Sequence, residues 1–479
     1  MAIRRALGIS GLAQLVAFIL NFISVIIVSR LLTPEEIGVF SVAVAVLGLA
    51  HIFREFGVGQ YLIQASRIDQ SQFRAAFSVT LFSSWIIAVT LFLLRTPLAR
   101  FYGYEGVAEV LALLALNFLI LPFGTPLLSL LRRELEFNKL ALVLIFSAFV
   151  QTSVTIGSAL AGESYLSMAW GSIASHIGKV LLLNFIRPGK TFILPTFTGL
   201  GEIARFGSIS SLTSIIRELG GSAPDLILGR TLGFVDVAYF SRAVGLRKML
   251  IEQLINLVRG VHFPTFASNL RKGKDAAQLY CQAMNYMVAI TAPLLAVLAL
   301  LADPLIIFLF GSQWERSVPI AILICIFSIL ISPYSLYGLS LIAAGKIRLS
   351  LQAEIAIQSA KIFILLSSIW FNLEHVVLFL GLAFLVEAIA SQYALQKAFG
   401  LSFKTLLNGI KTALLLIPFT ITGPGIIVLS SHVFQFTEFR FAILASGGAL
   451  AALGWLIGVF LVNHAMKIEI VNIYNKIYK

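Results

Sequence analysis

Residues 37–65 read IGVFSVAVAVLGLAHIFREFGVGQYLIQA. The first half is uncharged and apolar, yet it leads directly into His51, Arg54 and Glu55 before apolar residues resume. A bilayer core takes about 20 apolar residues per crossing, so the run belongs to a membrane-spanning helix. At about 100° per residue, His51, Arg54 and Glu55 share one sector of about 100° on that helix. An unpaired charge at the bilayer centre costs about 2.5–3.5 kcal/mol. The three side chains are therefore expected to face a partner or a hydrated interior and not lipid.

The rest of the chain repeats this pattern. Of its 479 residues, 59% are hydrophobic and 12% charged, a balance foreign to soluble domains. The apolar runs predict fourteen helices, at roughly 6–30, 37–64, 75–95, 108–131, 140–160, 166–186, 204–229, 238–268, 279–302, 319–344, 351–371, 376–397, 408–430 and 440–463. The expected fold is an all-α polytopic membrane protein with short connections and no separate soluble domain. Arg4 and Arg5 precede an apolar stretch too long for a secretory leader, so that stretch is read as the first spanning helix. Cys281 and Cys325 fall in apolar segments without metal-ligand spacing, which argues against a disulfide framework, a zinc site or any resident cofactor.

Lysine and arginine are retained on the cytoplasmic side of short loops. With fourteen helices both termini share a side. That side collects Arg4, Arg5, Arg67, Arg74, Arg132, Arg133, Lys139, Arg187, Lys190, Arg205, Arg271, Lys272, Lys274, Lys346, Arg348, Lys397, Lys404, Lys411, Lys467, Lys476 and Lys479. The opposite side has Arg30, Arg95, Arg100, Arg230, Arg316 and Arg440. Both termini are expected in the cytoplasm, and much of the +13 net charge reads as topology and not as a nucleic-acid surface.

An internal repeat appears when RLLTPEEIGVFSVA (30–43) is laid on RTLGFVDVAYFSRA (230–243), where Arg30, Leu32, Phe40, Ser41 and Ala43 coincide with Arg230, Leu232, Phe240, Ser241 and Ala243. The proline of LILPFG (119–124) likewise matches that of LISPYS (330–335). The expected organisation is a six-helix lobe over 1–200, a second over 201–400, and two further helices with a cytoplasmic tail over 401–479. An even number of helices gives both lobes the same orientation, and such pairs commonly keep substrate between the lobes.

Polar stripes recur along several predicted helices. Ser10, Gln14, Asn21 and Ser24 share a face of the first, and Ser211, Ser214, Arg217, Glu218, Ser222 and Asp225 share one on 204–229, where Gly220, Gly221 and Pro224 loosen the backbone into a candidate hinge. Lys248, Glu252, Asn256 and Arg259 form a stripe about 80° wide on 238–268, and Glu354, Gln358 and Lys361 form one on 351–371. A hydrated cavity lined by these helices is expected, with Arg54, Arg217, Lys248, Arg259 and Lys361 as substrate-binding cations. His51, Glu55, Gln14, Asn21, Glu218, Asp225, Glu252, Asn256, Glu354 and Gln358 supply its polar or ion-coupling groups. Membrane-depth cations, Arg242 and Arg247 included, outnumber membrane-depth carboxylates, among them Glu387, by one. A cationic cavity suits an anionic headgroup, and arginine forks suit phosphate. No HExxH, GxxxxGK[ST] or DxD pattern occurs, so no catalytic role is assigned.

Three segments carry a family likeness: SRLLTPEEIGVFSVAVAVLGLAHIFREFGVGQYLIQ (29–64), LLSLLRRELEFNKLALV (127–143) and LFGSQWERSVPIAILI (309–324). They resemble the polysaccharide-transport family, the Wzx-type oligosaccharide flippases of the multidrug/oligosaccharidyl-lipid/polysaccharide exporter superfamily. The resemblance implies a two-lobed bundle in the bacterial inner membrane. There it would turn undecaprenyl-diphosphate-linked oligosaccharide units toward the periplasmic leaflet by alternating access, for exopolysaccharide, O-antigen or capsule synthesis. Membrane lipids and the polymerase and export machinery are the implied neighbours. A lipid II flippase, a cation-coupled multidrug exporter and, further off, a membrane glycosyltransferase or polymerase are the competing readings.

Overall fold

The structure, a computed structural model, describes residues 2–55, 58, 62, 70–188, 194–196, 200–434 and 438–477, and leaves aside the side chains of 2–7, 52–55, 200–214, 257, 260, 432, 473, 474, 476 and 477. Every described element is helical. Cα packing divides the chain into two compact units, Met1–Ala238 and Tyr239–Lys479.

The first unit contains Ala2–Leu31, Pro34–Glu55, Gln70–Tyr102, Gly106–Ile120, Thr125–Arg133, Phe137–Leu160, Leu166–Ile186 and Leu200–Thr231. Thr33 caps the second helix. Its amide donates to Glu36 Oε2 at 2.7 Å and the Glu36 amide donates back to Thr33 Oγ1 at 3.3 Å, a capping box with Pro34 at the first helical position. The expected helix 108–131 is two pieces. A 3₁₀ turn at Leu121–Phe123 divides it, because Pro122 offers no amide to the ladder.

The second unit holds most of Phe234–Arg271, then Ala276–Leu300, Ala302–Phe310, Ser317–Ile331, Tyr337–Ala343, Ile347–Leu366, Leu373–Phe399, Phe403–Leu414, Leu416–Val433, Arg440–Leu461 and Met466–Ile477. Its proline turn, Ser332–Tyr334, breaks a helix as Leu121–Phe123 does in the first unit. The two prolines matched in the sequence repeat thus occupy the same kind of joint. Two further helices lie outside the expected set, Ala302–Phe310 and Met466–Ile477.

Among the described residues, twelve helices are long and apolar enough to cross a membrane. Leu200–Thr231 and Phe234–Arg271 have the length, at 32 and 38 residues, but their charges dilute the apolar run. Lipid offers little drive for apolar helices to associate, so close approach through small residues holds such bundles together. A Cβ on Gly38 would lie 1.9 Å from the Phe234 carbonyl oxygen, and one on Gly171 would lie 1.8 Å from Thr155 Oγ1. In the second unit the core gathers around Tyr280, Met284, Leu341, Leu395 and Leu406, all at most 1% exposed. The Tyr280 hydroxyl is satisfied by donating to the Pro333 carbonyl at 2.9 Å.

Candidate functional site

In the first unit the polar face of Leu200–Thr231 approaches Pro34–Glu55 through Gly48. A Cβ there would stand 2.7 Å from Glu218 Oε1 and 2.9 Å from Ser222 Oγ, so a larger residue would displace this carboxylate from its present place. Ser222 Oγ donates to Glu218 Oε1 at 3.5 Å. Arg217 and Glu218 are exposed, Asp225 is half-buried, and Ser222 is buried. One turn beyond Gly48, half-buried His51 rests on Phe118 with ring centroids 4.8 Å apart. Arg54 and Glu55 lie outside the described side chains, as do Ser211 and Ser214.

Gln14 is exposed on the first helix, whereas Asn21 turns back on its own backbone and donates to the Ala17 carbonyl at 2.8 Å. Gly220, Gly221 and Pro224 sit inside one continuous helix, Leu200–Thr231. Gly220 and Pro224 are buried, and a Cβ on Gly221 would meet nothing within 4 Å. Tyr102 Oη, from Gln70–Tyr102, donates to the Leu226 carbonyl at 3.2 Å just past the proline.

In the second unit Lys248, Glu252, Asn256 and Arg259 are all exposed along one face of Phe234–Arg271. Ile251, 6% exposed, and half-buried Arg242 and Arg247 occupy the side turned into the unit. Arg247 Nη1 donates to Ser328 Oγ at 3.5 Å. Glu354 is buried at 5% exposure and accepts a hydrogen bond from Tyr337 Oη at 3.2 Å. Its stripe partners Gln358 and Lys361 are half-buried. Sequence periodicity therefore groups Glu354 with Lys361, while the fold pairs it with a tyrosine from another helix.

Two groups escaped the sequence reading. His262, 8% exposed, lies three residues beyond Arg259 with Nε2 2.8 Å from Ser340 Oγ. Arg187 bridges the Leu166–Ile186 helix to Glu134 and, at 2.9 Å, to Glu136, which Lys139 also holds at 2.9 Å. Burial pushes the Glu136 carboxyl up, and hydrogen bonds from Arg187 and Lys139 more than reverse this, holding it below the ordinary carboxylate range. Among the described residues no group of three or more His, Cys, Asp or Glu side chains could hold a metal ion.

This arrangement presents cations and hydrogen-bonding groups on exposed helix faces within a membrane protein. Charges there are costly unless they meet water, an opposite charge or a charged ligand.

The family described as "Polysaccharide biosynthesis protein" matches residues 27–319. The lipopolysaccharide biosynthesis protein WzxC of Escherichia coli (strain K12) is 22% identical over 72% of this chain and 71% of its own length. The succinoglycan biosynthesis transport protein ExoT of Rhizobium meliloti (strain 1021) is 25% identical over 70% and 68%. The teichuronic acid biosynthesis protein TuaB of Bacillus subtilis (strain 168) is 22% identical over 86% of each. Among solved structures, the lipid II flippase MurJ in an inward closed conformation superimposes with a TM-score of 0.75 at 13% identity, covering 94% of this chain and 98% of that one. An inward-facing multidrug resistance MATE transporter gives 0.64 at 18% identity, covering 83% and 94%. These likenesses concern the fold.

Proposed function

The chain belongs to the polysaccharide biosynthesis protein family, and from that premise we propose that it is a flippase for polyprenyl-diphosphate-linked oligosaccharides. It is a multi-pass membrane transport protein and not an enzyme. The relatives' names concern three different polysaccharides, which favours a carrier-lipid diphosphate over any one sugar as the group such a site recognises.

The observation that carries this reading is the exposed stripe Lys248, Glu252, Asn256 and Arg259 on one face of a 38-residue helix. Such a face cannot rest in hydrocarbon. The Arg259 guanidinium offers a fork, and Lys248 a point charge, to the diphosphate, while the polyprenyl tail stays in lipid; Arg217, Lys361 and Arg54 are further candidate cations. No bond is made or broken. With the cytoplasm negative, moving about two negative charges outward is favoured by roughly 4–5 kcal/mol per 100 mV. Glu218, Asp225, Glu252 and Glu354 are the candidates for an added ion antiport.

The remaining parts of the proposal are the setting and the movement. The protein works in the bacterial inner membrane with both termini cytoplasmic, and hands its cargo to polymerase and export machinery. Sequence-repeat lobes at 1–200 and 201–400, with 401–479 appended, alternate access, and Leu200–Thr231 flexes at Gly220, Gly221 and Pro224.

The test is a reconstituted flipping assay with a fluorescent polyprenyl-diphosphate oligosaccharide, scored by leaflet accessibility. Arg217→Gln and Arg259→Gln should each slow flipping by about tenfold or more, the loss of one charge-assisted hydrogen bond, at unchanged protein level. Wild-type rates from both variants, or transport of a cationic drug in place of the lipid, would overturn the reading.

A further inference from the structure

The side of Phe234–Arg271 turned into the second unit carries a guanidinium in different surroundings from the exposed stripe. Arg242 Cζ lies 4.7 Å from the Trp314 ring centroid and 5.0 Å from that of Phe310. Trp314 is fully buried and meets Tyr239 edge to face at 6.0 Å, and Tyr239 in turn carries the exposed Arg316 guanidinium at 5.2 Å. All five residues belong to the second unit. Gly311, with φ of 103°, lets the chain turn so that Phe310 and Trp314 converge on the same arginine.

Aromatic rings cover the faces of a guanidinium, but its N–H donors lie in its plane and point outward. Among the described residues Arg242 has no hydrogen bond and no carboxylate partner, and its Nε is buried. A charge taken from water normally has both. Glu315, a carboxylate close in sequence to this cluster, is exposed.

The internal repeat separates packing from chemistry at this position. Residue 242 corresponds to Val42, which is 0% exposed in the first unit. A valine meets the packing demand at the matching place, so packing alone does not require a guanidinium here.

We propose that Arg242 is an anion-binding residue, its donor edge taking two oxygens of a phosphate or diphosphate group. Phe310 and Trp314 fix the plane of the fork, and Arg316 adds positive potential. The site is separate from the Lys248–Arg259 face, so it stands whether or not that face carries the transported headgroup. A lipid carrier's diphosphate and a phospholipid headgroup share this chemistry.

Trp314 provides a local reporter. Full-length protein in detergent is titrated with sodium pyrophosphate, and in parallel with phosphatidylglycerol in mixed micelles, at constant ionic strength set by chloride. The fluorescence change of the wild type minus that of Trp314→Phe isolates the reporter. A saturable change is expected with at least one phosphate probe. Saturation by pyrophosphate identifies a site open to a diphosphate, and saturation by phosphatidylglycerol alone identifies a lipid headgroup site. Arg242→Gln should abolish the change, and Arg242→Lys, which keeps the charge but loses the fork, should weaken it about tenfold. The lysine variant also serves if the glutamine variant does not fold. No saturable change with either probe, an intact change in Arg242→Gln, or equal affinity in Arg242→Lys would overturn the assignment.

Discussion

Gly38→Ala tests whether close backbone approach holds the first unit together. The added Cβ would lie 1.9 Å from the Phe234 carbonyl oxygen and 2.5 Å from its carbon. Ordinary carbon-to-oxygen contacts fall near 3.3 Å or more, so the two backbones must part by roughly 1 Å or more. Both colliding atoms are main chain, and no rotamer change relieves them. A gap of that size forfeits about a quarter to a half of the dispersion energy along the contact, and overpacking of this kind costs about 1–3 kcal/mol. Alanine's better helix propensity returns about 1 kcal/mol, leaving a net loss of up to about 2 kcal/mol. Gly221→Ala is the internal control, since its Cβ meets nothing within 4 Å and the same propensity gain is unopposed. Thermal unfolding in detergent, followed by the loss of monodisperse protein on size exclusion, should rank Gly221→Ala at or above the wild type and Gly38→Ala below it. Equal melting of the two variants would refute the argument that this approach is tight.

Glu136→Gln should melt earlier than the wild type near neutrality. Because the native Glu136 carboxyl is held below its ordinary value of 4.5, its contribution is present above that value and lost as pH falls through the lowered native one. The gap between the two melting curves should therefore be constant near neutrality and close in acid, and a gap that persists at low pH would point to packing instead. A reporter active only outside the cytoplasm should work when fused after Glu36 and fail after Asn269, with the reverse pattern contradicting cytoplasmic termini. Replacing Gly221 and Pro224 together by alanine should shift cysteine accessibility toward one side of the membrane without removing a charge, and an unchanged pattern with normal flipping would leave Leu200–Thr231 as a static element.

The sequence alone determined the all-helical polytopic class, because hydrocarbon demands long apolar runs and the chain supplies little else. It also matched Pro122 with Pro333 in the repeat, but ran a helix through each, where the structure has a 3₁₀ joint because proline offers no amide to the ladder. The shared face of Lys248, Glu252, Asn256 and Arg259 was legible, as helical periodicity acts within one element. What a polar group touches on another helix has no such local rule. The seating of Glu218 against Gly48, the bond from Tyr337 to Glu354 and the stacking of Arg242 on Trp314 join residues far apart in the chain. Gly220, Gly221 and Pro224 read as a loosened stretch, and the helix runs through them. Inside a bundle, neighbouring helices and side chains can satisfy the backbone around a proline. Periodicity orders side chains around one axis, and only the packing of several axes decides which of them meet.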